Sequence, residues 1–242
     1  MQTRETYVKD MIRRRYARQA VNSDNTWGGR ERAFRAGYNA SQLDDLPEAI
    51  VERWAGCGNV VAGAPLEGAE VIVDLGAGSG VDALLARFRS GSTPHVIAID
   101  ITPETMGRLG ATPPGVLCVA GDFEMLPLAD AVCDVVIANA AFNLALDPAL
   151  AFAEAWRILR PGGRLHICDL VREGELPSEL LADPLGWSTS LGGVMREGEF
   201  IKTIQGAGFK NVAVSGHRPF ASVVAVSVDA EKPGGGAIRR DA

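Results

Sequence analysis

The feature that most constrains the fold is a regular alternation, from residue 71 onward, between short apolar runs rich in β-branched residues and helical segments. Such runs are typical of strands buried on both faces, and the helices between them can act as crossovers in a parallel sheet. We therefore predict an α/β protein with a Rossmann-like, doubly wound sheet. The predicted strands are 71–75, 95–100, 116–122, 133–139 and 164–170, and the longest predicted helix, 147–160, stops at Pro161, Gly162 and Gly163.

The last two strand-like runs follow a different pattern. FKNVAVSG and FASVVAVSV are separated by only a short connection. A parallel crossover needs about a dozen residues or more. This connection therefore predicts an antiparallel pair at the end of a mostly parallel sheet.

Composition divides the chain into three parts. Residues 1–68 are helical with breaks, and we expect them to form an amino-terminal cap or lid. Residues 69–228 carry the strand and helix alternation, with an insertion at 176–196 that we place near the ligand pocket. Residues 229–242 are rich in glycine and have little that could pack, so we expect a flexible tail.

Charge and cysteine content exclude several classes of protein. Lys and Arg total 24 against 30 for Asp and Glu, a formal net charge of −6, so no nucleic-acid partner is expected. The apolar stretch 135–156 is interrupted by polar residues that would be costly in lipid, which indicates buried core and no membrane partner. Four scattered cysteines do not make a disulfide framework, and the amino terminus has no signal-peptide core, so the expected location is cytoplasmic. The oligomeric state, monomer or homodimer, stays open.

The most informative motif is the glycine-rich segment VDLGAGSG at 73–80, between the first predicted strand and helix. Glycines let the backbone turn tightly and approach a ligand, and the helix N-terminus offers unpaired N–H groups. Val81 occupies the place of the last glycine in the dinucleotide fingerprint G-x-G-x-x-G. Asp74, ahead of the glycines, would repel a pyrophosphate and suits a cationic ligand such as a sulfonium with an amino-acid moiety.

Two further acidic positions follow predicted strands. Asp100 ends the second strand, where a carboxylate can accept hydrogen bonds from a ribose diol or can cap the helix that starts near Thr102. The segment GDFEMLPL at 121–128 follows the third strand and has the form of an adenine-edge site. There Asp122 could accept from the exocyclic amine while the backbone N–H of Phe123 donates to a ring nitrogen.

Together VDLGAGSG, AID, GDFEMLP, DVVIAN and LRPGGRL closely resemble the class I S-adenosylmethionine-dependent methyltransferases over about residues 71–226. The resemblance implies a seven-stranded sheet with an antiparallel last strand and S-adenosylmethionine as the cofactor. It also implies which residues bind each part of the cofactor. By this resemblance the methionine part is bound by Asp74, Gly76, Ala77 and Gly78, and the ribose by Asp100 and Ile101. The adenine is bound by Gly121, Asp122 and Phe123, and Asn139 lies beside the sulfonium.

A closer resemblance, to the arsenite methyltransferase family, extends into the amino-terminal part through YVKDMIRRRYA, GYNASQLDDLPEAI and GCGN. Members of that family bind trivalent arsenic through thiolates. Here Ala140 and Ser190 stand where the family has cysteines, and only Cys57 remains. We therefore predict an arsenite-methyltransferase-like scaffold that methylates a different small molecule, with no bound metal ion.

The candidate catalytic residues are Asn139, Asp169 and His166. Asp169 ends the fifth strand beside Asn139 and is the better candidate for orienting an acceptor, whereas His166 lies mid-strand, where a core histidine is the alternative. Aromatic faces attract cations and exclude water. The candidate residues for the acceptor pocket are Tyr16, Trp27, Tyr38, Asn143 and Trp187.

Three other functions compete with methylation of a small organic molecule. The first is arsenite methylation. The second is a protein that binds S-adenosylmethionine without transferring its methyl group, such as a cyclase, a decarboxylase or a regulatory module. The third is an NAD-dependent oxidoreductase, which the glycine spacing and Asp74 disfavour.

Overall fold

A computed structural model of the chain describes residues 4–21, 29–91, 94–107, 115–175, 191 and 193–234. Seven strands form one sheet in the order β3-β2-β1-β4-β5-β7-β6. Strands β1 to β5 pair in parallel, and β7 pairs antiparallel with both β5 and β6, which confirms the predicted sheet. The strands are β1 Val71–Leu75, β2 His95–Asp100, β3 Val116–Ala120, β4 Cys133–Asn139, β5 Leu159–Val171, β6 Lys210–Phe220 and β7 Val223–Glu231.

Helices precede the sheet and cover both of its faces. The amino-terminal part, which we call the cap, contains α1 Arg4–Val21, α2 Gly29–Arg35, α3 Ala40–Leu43, α4 Glu48–Val51 and α5 Val60–Gly63. Within the sheet region lie α6 Val81–Arg89, α7 Pro103–Met106, a 3₁₀ turn Phe142–Leu144, α8 Pro148–Ile158 and α9 Glu197–Gly206. None of the described helices is long and apolar enough to cross a membrane.

The sheet separates two apolar cores because successive side chains of a strand point to opposite faces. Ile72 and Val135 pack on the side of the cap and α6. Val73 and Val136 pack on the side of α8 and α9. On the second side the rings of Phe142 and Phe152 stack at 4.1 Å, and Phe152 meets Phe200 edge-on at 5.5 Å, which joins α8 to α9. Both faces of the central strands β1, β4 and β5 are buried, as the unbroken apolar runs predict.

The predicted helix 147–160 is too long, and the predicted stop at residues 161–163 is wrong. Helix α8 ends at Ile158, and β5 begins at Leu159 and runs through the proline and both glycines. The N–H of Gly162 donates to the carbonyl of Lys232 at 2.9 Å, and the N–H of Lys232 donates to Gly163 at 2.9 Å. These bonds from a distant part of the chain extend the strand, which local sequence signals do not reveal.

The boundary predicted at residue 228 also falls too early. Strand β7 continues to Glu231, and Lys232 is buried beyond it. The Lys232 ammonium donates to the carbonyls of Trp156 at 2.9 Å and Leu159 at 2.7 Å and lies 3.8 Å from the Trp156 ring centroid. A cation at these carbonyls complements the carboxyl end of α8. Residues 229–232 therefore belong to the fold rather than to a tail.

Candidate active site

One cleft, of about 1100 Å³ including the part open to solvent, lies at the carboxyl ends of β1, β2 and β4. Ligands of open α/β sheets bind at this edge. The sequence-predicted residues that line it are Tyr16, Asp74, Gly76, Ala77, Gly78, Asp100, Ile101, Asp122, Phe123 and Asn139. The structure thus brings the predicted cofactor-binding residues together from four separate segments of the chain.

The glycine-rich loop turns directly after β1. Gly76 and Gly78 have φ of +70° and +53°, in the left-handed region that favours glycine. A Cβ on Gly76 would lie 2.6 Å from the Cβ of Ala141, so the loop and the segment after β4 approach too closely for any side chain there. The close approach leaves backbone rather than side chains facing this part of the cleft.

Asp74 is a buried carboxylate that faces the cleft with one oxygen unsatisfied. Its side chain is 1% exposed, and Oδ2 has no hydrogen-bond partner in the part of the chain that the structure describes. Burial, followed by the nearby charges of Asp82 and Asp100, raises its pKa well above the usual range. An unsatisfied buried carboxylate oxygen is costly, so this position calls for a hydrogen-bond donor or a cation from a ligand.

Asp100 is fixed by backbone donors on both of its oxygens. The N–H of Gly78 donates to Oδ2 at 2.9 Å, and the N–H of Thr102 donates to Oδ1 at 2.8 Å. Burial raises the pKa of Asp100 to about 6, and these two hydrogen bonds oppose the rise. Asp100 therefore ties the glycine-rich loop to Thr102 while it lines the cleft. The N-cap of α7 is Thr102, so the alternative interpretation of Asp100 as a helix cap is wrong.

Three charged side chains form a compact cluster at the end of the cleft where the sequence predicts adenine binding. Lys9 of α1 lies 2.7 Å from a carboxylate oxygen of Asp122 and 2.7 Å from one of Glu124. The other oxygen of Glu124 accepts the N–H of Leu146 at 2.6 Å. Although burial alone would lower the pKa of Lys9, its hydrogen bonds to these carboxylates raise the pKa overall, so the ammonium stays charged.

Helix α1 forms the roof of the cleft. Ile12, Tyr16 and Ala20 line it from above, and the Lys9 cluster holds the first half of the helix. Near the other end, Nε of Arg53 donates to the carbonyl of Ala20 at 3.1 Å. The roof is thus attached at two points that lie 11 residues apart along α1.

Asn139 lines the cleft, and its amide holds the loop at residues 56–58. Oδ1 accepts the N–H groups of Cys57 at 2.8 Å and Gly58 at 3.3 Å. Nδ2 donates to the carbonyl of Gly58 at 2.7 Å and to Asp82 at 2.9 Å. A Cβ on Gly56 would lie 2.5 Å from the Asn139 side chain, so glycine is required for this contact. The hydrogen-bonding capacity of the amide is used within the protein.

Five sequence-predicted residues lie outside the cleft lining. Asp169 is fully buried and accepts the N–H of Phe142 at 2.8 Å, and burial raises its pKa to about 7. His166 is buried with Nδ1 2.8 Å from Asp229, and its ring packs against Gly63 of α5. The remaining three, Tyr38, Asn143 and Gly121, do not line the cleft either. Burial under packed elements, which periodicity does not reveal, separates the four side chains from the cleft, whereas Gly121 is only half-buried.

Trp27, Trp187 and most of the 176–196 insertion lie outside the described residues. The structure instead adds cleft residues that the sequence did not single out, among them Lys9, Arg53, Trp54, Asp82 and Glu124. Asp82 carried a signal, since it lies in the first turn of the helix that follows the glycine-rich loop. Lys9 carried none, because Asp122 and Glu124, its carboxylate partners in the cleft, lie more than a hundred residues away along the chain.

None of the four thiols lines the cleft. Burial raises the pKa of Cys57 well above its usual range and raises the pKa values of Cys133 and Cys168 to about 12. Burial also raises the pKa of Cys118, on the edge strand β3. The thiols are therefore protonated near neutral pH, whereas metals and metalloids bind the thiolate.

Comparison with known proteins gives consistent results. Residues 73–167 match the family model described as a methyltransferase domain. The arsenite methyltransferase of Halobacterium salinarum is 29% identical over 230 residues, which are 86% of this chain and 59% of the relative. The arsenite methyltransferase of Aquipseudomonas alcaligenes is 30% identical over 204 residues, which are 79% of this chain and 58% of the relative.

A solved structure extends the likeness to three dimensions. The crystal structure of CrArsM, an arsenic(III) S-adenosylmethionine methyltransferase from Chlamydomonas reinhardtii, matches with a TM-score of 0.71 at 26% identity. The match covers 81% of this chain and 73% of that one. The present chain spans somewhat under 60% of the length of the two curated relatives above.

Proposed function

Because the chain belongs to the class I S-adenosylmethionine-dependent methyltransferases and is related to the arsenite methyltransferases, we propose that it methylates a small organic acceptor bound beneath α1. The observation that carries the proposal is the cleft itself. It is roofed by α1 over the carboxyl ends of the strands, and it contains a buried carboxylate oxygen that has no partner among the described residues.

The residues present fit the cofactor. The unsatisfied Oδ2 of Asp74 would receive the ammonium of the methionine part, and Gly76 and Gly78 provide the backbone approach beside it. Asp100 would accept from the ribose, and Asp122 with the backbone of Phe123 would hold the adenine edge. When bound, S-adenosylmethionine supplies an electrophilic methyl group on a sulfonium, which transfers by in-line displacement.

The residues of the cleft act by positioning and by excluding water. Ile12 and Tyr16 of α1 cover the cleft, and Leu144 adds an apolar side chain after β4. Holding two reactants in line and out of water contributes a large part of the rate of a displacement reaction. Asp169 and His166 do not line the cleft, so we assign them no proton transfer and propose positioning as the main source of catalysis.

Arsenite methylation is the second candidate, and the names of the two curated relatives favour it. It requires a soft-ligand site. Cys57, Cys133 and Cys168 are buried, Cys118 is half-buried, and none of them lines the cleft. Ala140 lines the cleft at one of the positions where the family has a cysteine. We therefore rank it below methylation of an organic acceptor.

The proposal is tested with S-adenosylmethionine carrying a labelled methyl group and a cell extract split by ultrafiltration into small metabolites and retained macromolecules. We expect labelled product in the small-metabolite fraction. An Asp100→Ala variant, which loses a proposed cofactor contact, is expected to lose most of this product, whereas Asp44→Asn, an exposed position outside the cleft, is expected to keep it.

Label found only in macromolecules, or no transfer with any fraction, would contradict the proposal. A parallel incubation with arsenite and glutathione addresses the second candidate. Methylated arsenic that disappears in Cys57→Ser would establish arsenite methylation instead. Binding of S-adenosylmethionine without labelled product in any incubation would favour a non-methylating protein.

A further inference from the structure

A buried polar network joins the cap to the cofactor cleft. The hydroxyl of Tyr38, in the cap, donates to Oδ1 of Asp82 in α6. The side-chain amide of Asn139, at the end of β4, donates to Oδ2 of Asp82 at 2.9 Å. Each oxygen of this carboxylate therefore receives a donor from a different part of the fold, and Asp82 is 6% exposed.

Asp82 lies next to Asp74 in the cleft. Both residues line it, and the charge of Asp82 is the largest electrostatic contribution to the raised pKa of Asp74 after burial itself. The hydrogen bonds from Tyr38 and Asn139 favour the charged form of Asp82 and oppose the effect of burial on its pKa. Two neighbouring buried carboxylates repel each other unless a cation lies between them.

The donors to Asp82 are themselves fixed. Tyr38 is 3% exposed, and its ring meets the edge of Trp54 at 5.2 Å. Burial and the negative charge of Asp82 raise the pKa of Tyr38 well above the usual range, so its hydroxyl stays protonated and remains a donor. Trp54 also favours the charged form of Asp82, although its buried indole Nε1 has no hydrogen-bond partner among the described residues.

We propose that Asp82 and Asp74 together form a two-carboxylate subsite for the ammonium group of the cofactor, and that Tyr38 is a positioning residue that orients Asp82. The subsite has one acceptor without a partner, Oδ2 of Asp74, and an ammonium group supplies three donors and one positive charge. The inference rests on S-adenosylmethionine as the cofactor and is independent of the acceptor. It makes the cap part of the cofactor site rather than only a cover for the acceptor.

The test compares two ligands by calorimetry on the purified chain. S-Adenosylhomocysteine carries the amino-acid end, and 5′-methylthioadenosine lacks it while keeping the adenosine and the sulfur. For Asp82→Asn we expect the dissociation constant of S-adenosylhomocysteine to rise about tenfold or more, as for loss of a charged hydrogen bond. The dissociation constant of 5′-methylthioadenosine should change less than about twofold, since the amide keeps the shape of the side chain.

Tyr38→Phe removes only the hydroxyl group. We expect it to weaken binding of S-adenosylhomocysteine by about three- to tenfold and to leave 5′-methylthioadenosine unaffected, as for loss of one hydrogen bond. The matched control is Tyr7→Phe, an exposed tyrosine on α1, which should change neither constant. A third ligand, S-adenosylhomocysteine without its amino group, should bind the wild type, Asp82→Asn and Tyr38→Phe with similar affinity.

Equal losses for both ligands in Tyr38→Phe, or no loss in either variant, would overturn the proposal, since a merely structural role would not separate the two ligands. An equal loss of affinity for S-adenosylhomocysteine without its amino group would also overturn the proposal, because that result would assign the effect to the carboxylate group of the ligand. Retained binding of 5′-methylthioadenosine reports that a variant is folded. Should Asp82→Asn fail this check, the ratio measured on Tyr38→Phe decides.

Discussion

At the scale of the residue, the cleft is defined by acidic side chains held in unfavourable surroundings. Asp74 and Asp82 are buried and Asp100 is half-buried, and removal from water raises the pKa of each. A fold that keeps such groups gives up stability for a function that needs them. A cationic ligand compensates this cost, so affinity and stability should respond in opposite ways when one of the charges is removed.

Asp74→Asn is therefore expected to lower the affinity for S-adenosylhomocysteine about tenfold, as for loss of a hydrogen bond to a charged group. The free energy of unfolding of the ligand-free protein should stay the same or rise slightly, because a buried, mutually repelling carboxylate is gone. Calorimetry and urea unfolding at pH 8 measure the two quantities. Asp44→Asn, whose side chain pairs with Arg30 at the surface, should change neither. A destabilised variant with unchanged affinity would contradict this account.

At the scale of the element, α1 decides access to the cleft. It crosses the open edge of the sheet and is attached by Lys9 to Asp122 and Glu124 and by Arg53 to Ala20. Glu124 is 5% exposed, so loss of the Lys9 ammonium would leave a buried carboxylate without a counterion. Attachment by ion pairs at one end also makes closure of the roof sensitive to salt.

Lys9→Met is expected to raise the rate of amide hydrogen exchange across α1 about tenfold in the ligand-free protein, because breaking a partly buried ion pair favours the open state by over 1 kcal/mol. Mass spectrometry of α1 peptides measures the rate. Arg14→Met is the control on the same helix, since its ion pair with Asp10 involves a largely exposed side chain. Equal exchange in the two variants would show that the Lys9 cluster does not hold the roof.

At the scale of the whole molecule, buried carboxyl groups link stability to pH. Burial raises the pKa of Asp82 and Asp100 to about 6 and that of Asp169 to about 7. The folded state thus binds these protons more tightly than the unfolded state. Their stabilising contribution is complete below their unfolded pKa values and is lost as pH rises through 6 to 7. Asp134 and Glu154, whose pKa values are lowered by hydrogen bonds, act in the opposite sense at more acidic pH.

The ligand-free protein should therefore lose on the order of 5 kcal/mol of unfolding free energy between about pH 5 and 7.5. The stabilisation gained by adding S-adenosylhomocysteine should grow over the same interval, because its ammonium prefers ionised carboxylates. Thermal unfolding at constant ionic strength measures both trends. In Asp169→Asn the slope for the ligand-free protein should be smaller, whatever the absolute stability. A slope of the opposite sign in the wild type would refute the assignment.

Much of the fold follows from local patterns. The strands β1, β2 and β4 begin and end where the apolar runs do, because each run is buried between helices. Helix α8 and strand β5 were misjudged because the bonds between residues 162–163 and Lys232 extend the strand from a distant part of the chain. Tyr38 and His166 were predicted near the ligand, whereas both are covered by packed elements.

The amino-acid sequence by itself determined the α/β class, the glycine-rich loop after β1 and the acidic residues at the ends of the strands. These depend on local signals, namely hydrophobic period, glycine spacing and residue type at a strand end. Only the tertiary structure decided that Lys9 meets Glu124, 115 residues away, and that Tyr38 of the cap donates a hydrogen bond to Asp82 of α6. Such contacts depend on how the elements pack around a common core, and no pattern along the chain encodes the resulting distances.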